Sequence, residues 1–89
     1  MFTWLPEGVV QGPGFTVGTE FNFAVYREGD SKITISVKRA FRGNRHLIVI
    51  PTEAFLRWDN KNESNSPNDQ ARMRENFVAA MEFAGCLVE

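Results

Sequence analysis

Apolar and polar residues alternate through the middle of the chain, and near its end the apolar ones recur at helical spacing instead. Phe21, Phe23 and Val25 alternate with Asn22 and Ala24, and Ile33, Ile35 and Val37 alternate with Thr34, Ser36 and Lys38. A period of two built from β-branched and aromatic residues predicts half-buried strands. A third strand, His46-Leu47-Ile48-Val49-Ile50, is ended by Pro51. Gly43-Asn44 as a two-residue loop pairs Arg42 with Arg45, Phe41 with His46 and, further out, Val37 with Ile50. Ile33, Ile35, Val37, Phe41, Ile48 and Ile50 then share one face, and Lys38, Arg42, Arg45, Leu47 and Val49 the other.

The first hairpin turns at Glu28-Gly29-Asp30-Ser31. A three-residue loop at Gly29-Asp30-Ser31 places Phe21, Phe23 and Val25 on the face of Ile35 and Val37, where one helix covers them, and this register is the one expected. A two- or four-residue loop moves all three to the opposite face, because the side-chain period is two. The sheet is then apolar on both sides and needs a second covering layer, such as a dimer partner.

Ser66-Pro67-Asn68-Asp69 reads as a helix start, with Ser66 as N-cap and Pro67 at the first helical position. Met73, Phe77, Ala80, Met81 and Ala84 follow as an apolar stripe, and Gly85 closes the helix. Between strand and helix, Thr52 caps a short predicted helix from residue 53 to about 58, with Phe55 and Trp58 on one side, before an asparagine-rich loop. Residues 1–19 carry Pro6, Pro13 and several glycines, which predict an irregular arm or an edge strand whose Trp4, Leu5 and Phe15 cap the core. The expectation is an α+β fold in one domain over residues 1–89. It consists of an arm (1–19), an antiparallel three-stranded β-meander (20–51), a short helix and loop (52–65), and one long amphipathic C-terminal helix (66–85) packed on the sheet.

Length and charge narrow the functional classes. A chain of 89 residues holds one core and buries only about 60–65% of its unfolded surface, so dimerisation is a natural way to add stability. The apolar fraction of 43% excludes a disordered chain. The net charge of −1 argues against a general nucleic-acid scavenger. Cys86 is the sole cysteine, read as a small apolar residue at the helix exit, and no intrachain disulfide is possible. The first residues lack a basic segment followed by an apolar run, and no stretch approaches the roughly 18–20 apolar residues that span a bilayer, so a cytoplasmic location is expected.

The charge map is uneven only in its middle, where Arg27, Lys32, Lys38, Arg39, Arg42 and Arg45 face only Glu28 and Asp30. A ribbon bearing Lys38, Arg39, Arg42 and Arg45 has the means to track phosphates, with Phe41 and His46 to stack a base. The plainer reading is that these charges keep a small sheet soluble and block edge pairing. Arg39 is aimed at the apolar face beside Ile48, where it must snorkel, pair or bind. His46 is the only histidine, and no spacing of His, Cys, Asp, Glu or Ser makes a metal site or a catalytic triad. Gly12-Pro13-Gly14 lacks the Lys-Ser/Thr of a phosphate loop. Leu47, Val49 and Trp58 form a candidate apolar partner surface, since one helix cannot cover both sides of the sheet.

The expected function is therefore a non-catalytic binding module without cofactor or small-molecule substrate: a regulator, inhibitor or accessory subunit. It would hold another protein, or a second copy as a homodimer, through an open sheet face or edge. Nucleic-acid binding by the basic hairpin, residues 38–45, is the alternative.

Overall fold

The computed structural model describes all 89 residues. Five strands, β1 (Thr3–Leu5), β2 (Val9–Gly12), β3 (Phe15–Thr19), β4 (Phe23–Glu28) and β5 (Ser31–Ser36), form an antiparallel sheet in chain order. A second sheet holds β6 (Lys38–Arg42), β7 (Arg45–Val49) and β8 (Cys86–Val88), in that order. The helix α1 (Pro67–Phe83) lies between β7 and β8 in sequence, and β8 runs parallel to β7. Parallel neighbours need such a long crossover. The fold is α+β, but the three-stranded meander is replaced by these two sheets.

The arm proves to be more than half of the first sheet. Val10, Phe15 and Val17 point into the core, and Gly12 pairs with Phe15 around Pro13-Gly14. Proline at the first turn position and Gly14 at φ +79° at the second make that a tight turn between two strands. The Gly and Pro residues that break hydrophobic periodicity are thus the corners of a hairpin.

The first hairpin also differs from the expected register. Glu28 pairs with Ser31, so the loop is the two residues Gly29 and Asp30, with Gly29 at φ +58° as such primed turns require. Ala24 and Tyr26, opposite Ile35 and Ile33, are the residues that face the core. Phe23 and Val25 point outward, and Phe21 is 84% exposed. Tyr26 is the larger inward payload, and its hydroxyl finds partners at the core boundary, accepting from Asn76 (3.0 Å) and donating to Glu28.

The second hairpin has the expected register, Arg42 opposite Arg45 and Phe41 opposite His46. The strand entering it nevertheless changes sheets at Val37. The Val37 N–H donates to the Asn22 carbonyl (3.0 Å), and the Ile50 N–H donates to the Glu89 carbonyl (2.9 Å), so the expected Val37–Ile50 pair gives way to two separate ladders.

The helix starts as its sequence predicts, with the Ser66 hydroxyl accepting from the Asp69 N–H (3.1 Å), and it buries Met73, Phe77, Ala80 and Met81. The short helix after Pro51 is absent. Residues 51–60 form turns, with i+3 bonds from Ala54 to Pro51 and from Leu56 to Glu53. So short a helix is not stable alone, and tertiary bonds hold the segment in another shape. Arg74 donates to the Pro51 and Thr52 carbonyls (both 3.0 Å), and the Asn65 N–H donates to the Leu56 carbonyl (2.6 Å). Phe55 is still buried and Trp58 still packs on the core, both against Tyr26.

Candidate functional site

The two-residue turn at Gly29 leaves the outer face of the five-stranded sheet without a covering layer. Pairing places Leu5, Val9, Gly18, Val25 and Thr34 in one row across all five strands. Leu5, Val9 and Val25 are half-buried, and Phe23, one row away, is 38% exposed. Gly18 has no side chain to raise the middle of this row, and a depression of about 190 Å³ results, lined in part by Val9, Gly18, Phe23 and Val25. Small-molecule sites measure roughly 300–1,000 Å³. The depression is too small for such a ligand.

Charges rim the apolar row in an ordered way. Strand direction places Glu7 and Glu20 at the end where β4 begins, and both line the depression. Arg27 and Lys32 pair with each other at the opposite end. None of these four side chains makes an ion pair within the chain, whose ion pairs are Arg42–Glu89, Arg72–Glu28 and Arg72–Asp69. Glu7 holds a left-handed backbone, φ +69°, in a turn where a non-glycine residue is strained.

The residues expected to make a partner face lie elsewhere. Leu47 is only 7% exposed, opposite Ala40 and Leu87 in the middle of the second sheet. Val49 is half-buried, and Trp58 stacks on Tyr26 (6.4 Å) at the edge of the core. The parallel strand β8 explains the burial of Leu47, and Leu87 and Val88 are too short an apolar run to announce a strand. Leu47, Val49 and Trp58 are thus not one open surface.

The basic hairpin is divided by its own pleat. Arg39, Phe41 and His46 share one face; Lys38, Arg42 and Arg45 share the other. Phe41 is 74% exposed and stacks on His46 with ring centroids 5.2 Å apart. Arg39 is spent internally: Nε donates to the Phe21 carbonyl (2.9 Å) and a terminal nitrogen to the Glu20 carbonyl (2.6 Å). It meets the requirement to pair, using backbone carbonyls. Arg42 forms an ion pair with Glu89. Lys38 and Arg45 remain, on the face opposite the stacked rings.

A polar cluster sits at the far end of β4. Arg72 donates to both Glu28 carboxylate oxygens (2.5 and 3.3 Å), and Glu28 also receives the Tyr26 hydroxyl. Burial pushes the Tyr26 hydroxyl well above its ordinary pKa, the Asn76 bond opposes the rise, and Glu28 adds to it. Burial alone raises the pKa of Glu28, but the bonds from Arg72 and Tyr26 outweigh it and hold the carboxyl below the ordinary value. Every member is satisfied, and the cluster ties hairpin to helix.

No three His, Cys, Asp or Glu side chains converge as metal ligands, and Cys86 is a free, half-buried thiol packed against the core. No helix is long and apolar enough to cross a membrane. Comparison with protein-family models, curated proteins and solved structures finds no match.

Proposed function

We propose that this protein is a non-catalytic binding module that holds a protein partner on the outer face of its five-stranded sheet, acting as a regulator, inhibitor or accessory subunit. What supports this reading is the uncovered row Leu5–Val9–Gly18–Val25, flanked by Phe23 and rimmed by charges that have no partner within the chain. An apolar strip with a polar rim is the usual anatomy of a protein interface.

The test compares proteins captured by the wild type and by Val25→Asp, with circular dichroism to verify the fold. The reading expects a species held by the wild type and lost by the variant. Identical captures by both would overturn it. The hairpin supports phosphate tracking less well, because its free cations and its stacked rings occupy opposite faces. Salt-sensitive oligonucleotide binding that is lost in Lys38→Ala/Arg45→Ala would favour that alternative instead.

A further inference from the structure

We infer that the partner seated on this face is a second copy of the same chain, packed sheet to sheet about a two-fold axis that runs across the strands. The inference rests on the reading of the outer face as a partner surface, and it names the occupant. A two-fold contact brings the same patch of each copy together, so the patch must complement itself. Most charged faces do not, because like lies on like.

This face does. Its acidic end carries Glu7 and Glu20, with the Arg39 guanidinium against the Glu20 carbonyl. Its basic end carries Arg27, which also reaches the depression, and Lys32, with the Asp59 carboxylate on Thr34 beside it. Each end keeps an excess of its own sign, with the apolar row between them. A two-fold axis lying in the interface and crossing the strands reverses one copy end for end. Glu20 of each copy then lies toward Arg27 of the other, at both ends at once, while the two apolar rows meet in the middle. An axis along the strands would set acid on acid and base on base. The charges thus select one of the two simple arrangements, the one with strands antiparallel across the interface.

The face is of modest size. Five strands about 4.8 Å apart, with about five residues each rising ~3.3 Å, give a face of roughly 24 by 17 Å, a projected area on the order of 400 Å². Standard interfaces take about 800 Å² of accessible surface from each partner. The face is thus no larger than a standard interface, and since area does not set affinity, a concentration series reads the strength of the dimer directly.

The charge pattern supplies a specific test by sedimentation equilibrium. Arg27→Glu and Glu20→Lys each replace two attractive contacts with two repulsive ones in the homodimer. Mixed together, the two variants recover both contacts, one from the substituted pair and one from the native pair. The wild type is expected to self-associate, each variant alone to bind itself roughly tenfold more weakly, and the equimolar mixture to return to wild-type affinity. Both substitutions are at the rim of the outer face, and thermal melts of each variant confirm folding.

A wild type that stays monomeric to about 1 mM, or a mixture as weak as its components, overturns the self-pairing. If that monomer still captures another protein through Val25, the partner-surface reading stands without the homodimer. If Val25→Asp also leaves capture unchanged, both fall.

Discussion

The Asp59 carboxylate accepts both the backbone N–H and the hydroxyl of Thr34, at 2.9 and 2.7 Å, while the Asp59 N–H donates to the Lys32 carbonyl at 2.9 Å. Lys32 and Thr34 present these groups on the free side of β5, away from β4. One residue from the loop thus closes an edge that would otherwise offer unpaired backbone to another chain. Asp59→Ala is expected to cost about 1–3 kcal/mol and to promote aggregation, with Asp59→Asn intermediate. Urea midpoints and light scattering measure both; an unchanged midpoint would show that the plug is dispensable.

Arg39 performs a related task where the strand changes sheets. The β4–β5 ladder ends near Asn22, and the guanidinium supplies donors to the next carbonyls, those of Phe21 and Glu20. Arg39→Ala is expected to cost about 1–2 kcal/mol and to speed hydrogen exchange at the Val37 amide. Lysine cannot reproduce the fork of donors, so Arg39→Lys should recover only part of the loss.

Two pH limits follow from the cluster at Tyr26. The folded pKa of Glu28 lies below its unfolded value, so its stabilisation is complete above the unfolded pKa of about 4.3 and is lost as pH falls through the folded value. Glu28→Gln should cost about 1 kcal/mol at neutral pH, and the gap should close in acid. The folded pKa of Tyr26 is raised, so its contribution is complete below the unfolded pKa of about 10 and is lost as pH climbs beyond it. Tyr26 is the only tyrosine. Absorbance at the tyrosinate band should therefore rise together with alkaline unfolding, and an ordinary titration in the folded protein would contradict the burial.

Glu7 keeps a backbone that glycine adopts more readily, and it contributes to the acidic rim. Glu7→Gly should raise stability by about 1 kcal/mol, measured by urea unfolding of dilute protein, and weaken self-association at higher concentration. A variant that is less stable would mean that the left-handed turn carries no strain.

How far the sequence reveals this molecule depends on which residues carry the signal. Met73, Phe77, Ala80 and Met81 at helical spacing, with Ser66-Pro67 before them, mark α1 because cap and stripe are both local. Gly43-Asn44 sets the second hairpin for the same reason. The first hairpin turned on one residue of loop length. Phe21, Phe23 and Val25 look like an inward set until Tyr26 is weighed against them, and it is the long-range bond from Asn76, beside the local bond to Glu28, that favours Tyr26. The β2–β3 hairpin was legible in Pro13-Gly14 between Val10 and Phe15, where turn chemistry outweighs broken periodicity. The candidate face was half legible. A two-residue loop already implies an uncovered side, but Val9 and Gly18 join it only through the pairing of strands hidden in the arm.

The most direct test of the account is the exposure of valine methyl groups to a soluble paramagnetic agent, followed by NMR as concentration rises. In dilute protein, Val9 and Val25 should be broadened and the buried Val10 and Val17 protected; at high concentration Val9 and Val25 should become protected too. Protection of Val25 in the dilute monomer would contradict the two-residue register, and broadening of Val9 and Val25 that never changes with concentration would contradict the pairing of two copies across this face.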